Sequence, residues 1–215
     1  MPISKSTLAQ PTSRTDATRR RILDAAERLL RVGKAEFSMR DLAAEAGVSF
    51  ATPFNQFGSK GAIMHALSAE RIEAMPERFA QAKPDGDASA RVLAAVGIAA
   101  SVMLEEPQVN RAVIGTLGAS SERPGRVLAQ SRALWAEAIG EGEGFEPALV
   151  DVAQAVLPDQ LAVAFRGVLS FWTAGEVSDD ELVPRARVTG ACVLLGFVNQ
   201  GRRPALLKVL GVLRP

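Results

Sequence analysis

Chemistry-bearing side chains gather near residue 50. The run Ser49-Phe50-Ala51-Thr52 is mostly small, so backbone amides and hydroxyls can come close to another molecule. Thr52, Asn55 and Gln56 then offer donors and acceptors suited to base edges or phosphates. Phe54 and Phe57 are spaced to anchor the same segment on its own domain. This is recognition chemistry, and the rest of the chain offers little for catalysis. There is one histidine (His65), one cysteine (Cys192) and no tyrosine, and neither a nucleophile elbow nor a phosphate loop is legible. The ligand set of a structural zinc site is missing, although counting does not settle carboxylate sites. No enzyme, metal or cofactor is expected. Cys192 cannot form an internal disulfide, and its neighbours Val193 and Leu194 predict a buried structural thiol. His65 has two readings, a pH- or ligand-sensing group and an ordinary polar histidine.

The elements that must position these residues are helical. Ile22, Leu23, Ala26, Leu29 and Leu30 share one face of a first helix that starts at Thr15 or Asp16 and is closed by Gly33. Ser38 and Asp41 form an S-x-x-D capping box, with Phe37 and Leu42 spaced as a hydrophobic staple, for a second helix ending near Ala46. Gly47 makes a tight turn and Ser49 caps a short third helix. Ser59 caps a fourth helix that turns Ile63, Leu67 and Ile72 inward, with its end marked by Pro76 and the stretch of Lys, Pro, Asp and Gly at 82–87. Further segments are expected at 89–105, 109–117, 124–139, 147–156, 159–174, 180–198 and 204–213, divided by proline and glycine. Helix, glycine turn and short helix over residues 38–60 have the physics of a helix-turn-helix: one helix braces on the DNA backbone while the next enters the major groove.

Composition agrees with a soluble globular chain, 47% hydrophobic and 23% charged over 215 residues. Residues 1–14, rich in Ser, Thr, Pro and Gln, read as a flexible arm rather than a signal peptide. No uninterrupted apolar stretch approaches the roughly 20 residues of a membrane span, so a cytoplasmic protein without a membrane partner is expected. Net charge is only +1, but before Asp41 nine basic residues face four acidic ones, an excess of five. By charge alone, that run fits a solvated helix face as well as a nucleic-acid surface.

The block SMRDLAAEAGVSFATPFNQFGSK resembles the TetR family of transcriptional regulators, and the resemblance runs over residues 17–77. It implies an all-α fold of about nine to eleven helices. A three-helix DNA-binding domain at 15–77 would precede a larger helical bundle for effector binding and dimerisation at 84–215. It also implies a homodimer on a pseudo-palindromic operator in double-stranded DNA, acting as a repressor that an unknown small-molecule effector releases. The alternatives are an activator or ligand-blind regulator with the same DNA-binding domain and, more remotely, an all-helical enzyme or lipid-binding protein. Position by position, Ser38, Arg40 and Lys60 become phosphate contacts, Thr52 with Phe50 and Ala51 faces the bases, and Ser49 at the head of that helix is a further DNA-contact candidate. Asn55 and Gln56 fall on the DNA backbone. Phe54 stands where the family usually has a tyrosine, so a hydroxyl that commonly meets a phosphate is missing. Pro53 is a second departure. With Ser49 as N-cap it falls at the fourth helical position and predicts an irregular or later-starting recognition helix.

In the larger domain, Met103, Arg111, Trp135 and Phe165 are the candidate effector-pocket residues; Phe145, Trp172, Arg132 and Arg166 offer further apolar surface or polar anchors. Two late apolar faces are the candidate dimer interface: Leu161, Phe165, Leu169 and Trp172 on one helix, with Val188, Ala191, Leu195 and Val198 on the next. A further helix of the same chain could cover those faces equally well on pattern alone.

Overall fold

The computed structural model of the protein describes residues 14–116 and 127–213, so the expected arm lies almost wholly outside the described residues. These contain ten α-helices and no strand, as expected. The chain divides into two compact units, Met1–Ile63 and Met64–Pro215.

The first unit contains α1 (Arg14–Arg31), α2 (Met39–Ala46), α3 (Ala51–Phe57) and the opening of α4 (Lys60–Ala82). Apolar residues three and four apart place Ile22, Ala25, Ala26, Leu29 and Leu30 on the buried side of α1. The chain leaves α1 through Gly33, at φ +75°, while the Lys34 amide donates to the Leu29 carbonyl at 3.0 Å. Helix α2 starts at the expected capping box. The Asp41 amide donates to Ser38 Oγ at 3.1 Å, and the Ser38 amide returns a bond to Asp41 Oδ2 at 2.9 Å. Phe37 and Leu42 are buried beside it as the staple requires. At its other end Gly47 takes φ +62°, and its amide reaches the Ala43 and Ala44 carbonyls. A side chain there would sit in the left-handed region that glycine alone enters without cost.

The second unit holds the remainder of α4, then α5 (Ala88–Leu104), α6 (Pro107–Thr116), α7 (Val127–Ile139), α8 (Val150–Thr173), α9 (Asp179–Leu194) and α10 (Arg203–Leu210). Helix α5 packs on α7 and α9, and α8 packs on the same two. Their shared core includes Val96, Met103, Leu134, Trp135, Leu157, Phe165, Trp172 and Leu194. Each such side chain, fully buried, contributes about 1.5–3 kcal/mol. Asn110 closes the corner between α5 and α6: its amide donates to the Val102 and Met103 carbonyls, and its Oδ1 accepts from Arg71 Nε at 2.9 Å.

Three expectations are corrected. Pro158 does not split 147–156 from 159–174; it lies inside a continuous helix, as Pro76 does in α4, which ends at Ala82 where the 82–87 stretch begins. An interior proline costs about 3 kcal/mol. Here buried residues flank each one, Met75 and Phe79 in α4 and Leu157 and Leu161 in α8, and their burial offsets that cost. Met75 and Phe79 also belong to the second unit's core, so the division falls at Ile63 rather than after residue 77. Cys192 is exposed, because the buried side of α9 runs through Gly190, Ala191 and Leu194 and leaves it one step round the helix.

Candidate nucleic-acid interface

Much of the basic run on α1 is engaged within the first unit. Arg21 Nη2 donates to the Ala46 and Gly47 carbonyls at 2.9 and 3.1 Å, where α2 ends and its last carbonyls lack helical partners. Arg28 pairs with Glu45 at 2.6 Å. Arg19 stacks on Phe57 at 4.1 Å and donates to the Gln56 carbonyl. No local signal announced these braces, which join residues 17 to 37 positions apart. Arg20 and Arg31 pair with Asp24 and Glu27 along α1 itself.

Helix α3 starts one residue later than a Ser49 cap implies. Phe50 occupies the N-cap position, in helical conformation and with no side-chain cap bond. Pro53 is therefore the third helical residue, where its missing N–H had no helical acceptor to lose, and its ring is buried. Ser49 Oγ bonds instead to Thr52 Oγ1 at 2.7 Å, an exposed contact that engages the hydroxyl of the expected base reader Thr52. Gln56 is half-buried. The side chains that project outward are Phe50, Ala51, Phe54 and Asn55, two i, i+4 pairs on adjoining strips of the helix surface. Phe50 is 54% and Phe54 41% exposed, and their rings meet edge to face at 5.4 Å.

Around this face, the start of α2 contributes Ser38 and Arg40, both exposed. The Arg40 guanidinium lies 5.7 Å from the Phe50 ring centroid. Hydrogen bonds from the Ser38 amide and then its hydroxyl hold the Asp41 carboxyl below its ordinary value. Lys60 is turned toward the loop between α1 and α2. Its ammonium donates to the Ala35 carbonyl at 2.6 Å and rests 4.6 Å from the Phe37 ring. Of the ten sequence candidates, the structure thus gathers Arg40, Phe50, Ala51, Phe54 and Asn55 into one outward cluster with Ser38 beside it. Thr52, Gln56 and Lys60 are at least partly engaged with the unit itself.

In the second unit, Met103, Trp135 and Phe165 share the core, with the Trp135 and Phe165 rings 5.6 Å apart. Arg111 lies 4.8 Å from the Trp172 ring, donates to the Trp172 carbonyl, and pairs with Asp179 at 2.9 Å. Arg132 pairs with Asp159. Arg166 is different: it donates to the Ile114 carbonyl, and burial pulls its guanidinium below the ordinary arginine value. Leu161, Phe165, Leu169, Trp172, Ala191 and Val198 are buried in the chain's own core, so they do not form an outward face; Val188 and Leu195 are only partly covered. The exposed apolar residues of α8 are instead Val152, Val156, Val163 and Phe171. Phe171 borders a groove of about 520 Å³ between α8 and α9, together with Gly167, Val177, Arg185 and Val188.

Residues 22–67, which hold α2 and α3, match the family described as bacterial regulatory proteins, tetR family. Over residues 22–67 the chain thus carries TetR-family sequence. Solved structures agree in fold. A TetR transcriptional regulator from Rhodococcus sp. RHA1 is 22% identical, with a TM-score of 0.66, over 83% of this chain and 97% of that one. CprB of Streptomyces coelicolor, in complex with its biological operator sequence, is 16% identical, with a TM-score of 0.55, over 94% and 100%. TylP, a TetR regulator of Streptomyces fradiae, is 17% identical, with a TM-score of 0.55, over 91% and 92%. No curated protein matches the chain in sequence. The family match in sequence thus covers residues 22–67, whereas the likeness in fold extends over both units.

Proposed function

We propose that this protein is a cytoplasmic, homodimeric repressor that binds a pseudo-palindromic operator and leaves it when a small molecule occupies the second unit. One observation carries the reading: the outward cluster of Arg40, Phe50, Ala51, Phe54 and Asn55, held on a capped helix pair braced by arginines. On DNA, α3 lies in the major groove while Ser38 and Arg40 meet phosphates. The bared apolar side of α8 supports dimerisation, since a second copy related by a two-fold axis covers Val163, Phe171 and the adjoining groove. Two recognition helices then stand about 34–36 Å apart, one turn of DNA. Arg166 supports the effector reading: a partly desolvated cation beside an apolar core suits a mainly apolar molecule with one anionic or carbonyl group.

Gel shift of the purified protein on DNA flanking its own gene tests the first step. A specific complex that weakens steeply with salt is expected. Thermal-shift screening of metabolites, followed by DNA competition, tests the second; a ligand that stabilises the protein yet leaves DNA binding unchanged would count against release. Repression is checked by reporter transcription from the shifted promoter, where rising output with added protein would instead indicate an activator.

A further inference from the structure

The outward face of α3 is more apolar than hydrogen-bonding readout requires. Of its four projecting residues, Phe50, Ala51 and Phe54 carry no hydrogen-bonding side chain and only Asn55 does. The two residues between these pairs are engaged elsewhere, Thr52 by Ser49 at 2.7 Å and Pro53 by burial. The phenyl rings also support each other, edge to face at 5.4 Å, and Arg40 flanks the first of them. The result is a braced apolar wedge, exposed beside a cation.

We propose that Phe50 and Phe54 read thymine through its 5-methyl group, with Asn55 taking the N6 and N7 edge of a nearby adenine. This rests on the reading of the first unit as a DNA-binding domain. Base edges in the major groove present donors and acceptors everywhere except at that methyl, the one apolar group available to a phenyl ring. Phe54 has no hydroxyl to offer a phosphate, so its exposure is matched by an apolar contact and by no backbone contact. Residues four apart on a helix are offset by about 6 Å along its axis. That is close to two base-pair steps of about 3.4 Å. One thymine per ring fits that spacing, and the specificity-determining contacts of each half-site fall within two or three base pairs.

The experiment begins with selection of an operator from a random duplex pool by the full-length protein. Each thymine of the selected operator is then replaced singly by deoxyuridine, which removes only the methyl. Wild type, Phe50→Ala and Phe54→Ala are titrated against the whole set, with thermal melts confirming that the variants stay folded. In wild type, uracil at one or two positions per half-site is expected to weaken binding about fourfold each, the worth of one buried methyl. The matching variant binds the parent operator more weakly by at least that factor and no longer distinguishes uracil from thymine at its position. The proposal is overturned if a specific operator carries no thymine in its half-sites, if wild type tolerates uracil throughout, or if the variants keep the same discrimination. Variants that keep operator affinity but lose self-association would assign the ring pair to a protein contact and overturn it as well. Failure to enrich any sequence is a separate result, which overturns the DNA-binding reading and this proposal with it.

Discussion

Ser38 with Asp41 at the head of α2, and Ser178 with Glu181 at the head of α9, are the same capping box in two settings. Helix α2 has eight residues, of which three are buried, and a helix that short is not stable alone in water. It persists because its ends are tied: by the cap, by Gly47, and by Arg21 and Arg28 at its last turn. Helix α9 has sixteen residues and packs against α5, α8 and α10. Its cap is an addition to an element already held by burial. End-directed contacts therefore weigh most in holding the short α2, and side chains that meet across the bundle weigh most in holding α9.

The sharpest break of this contrast is Trp135→Ala. Removing a fully buried indole from the second unit's core is expected to cost about 3–5 kcal/mol. Chemical denaturation followed by the fluorescence of Trp172 reads it directly, and a loss below about 1 kcal/mol would mean that burial does not hold that unit. Next comes Gly47→Ala. A Cβ there meets Arg21 Nη2 at an ordinary 3.4 Å, so space is available and the cost lies in the left-handed backbone, about 1–2 kcal/mol. Gly47→Asn should recover part of it, and equal melting temperatures for glycine and alanine would refute the account.

Ser38→Ala and Ser178→Ala sharpen the comparison further. Each should cost about 1 kcal/mol as a lost N-cap. Only Ser38→Ala is expected to weaken operator binding, since α2 precedes the recognition face; equal effects of both on DNA affinity would erase the distinction between the units.

The smallest effect is on acid stability. Bonds from the Ser178 amide, then from Arg185 and the Ser178 hydroxyl, hold the Glu181 carboxyl at about 2. Asp41 is likewise lowered by Ser38. Burial pushes the Asp87 carboxyl up, but Ser89, Ala90 and Arg202 outweigh it and leave that group lowered too. Unfolded carboxyls titrate near about 4. Their stabilisation is thus fully present above that value and is lost as pH falls through the lower folded values. Melting curves for wild type and Glu181→Gln should run parallel from about pH 5 to 8 and converge between about pH 4 and 2. A gap that persists at about pH 2 would show that the carboxylate is not its source.

The same contrast governs what could be read before the structure was known. Ser38, Gly47 and Ser59 mark ends by rules that act within a few residues, and α2 starts and stops where those rules put it. In the second unit proline is a weaker stop: Pro76 and Pro158 sit inside helices because buried neighbours on both sides hold the chain. The Ser178–Glu181 box is an equally local signal. The faces of α8 and α9 were identified as apolar, but periodicity does not say which of two apolar sides meets the chain's own core. Leu161 and Trp172 went inward; Val163 and Phe171 stayed out. The recognition face followed a similar course. Its segment is legible, while the Ser49–Thr52 bond that engages the Thr52 hydroxyl depends on side-chain geometry.

Cys192 offers a practical consequence. It is the chain's single thiol and lies exposed on α9. One maleimide dye or nitroxide therefore attaches at a known place in the unaltered protein, with no background to engineer away. A pair of such labels turns self-association into a distance that can be measured in solution, with and without DNA.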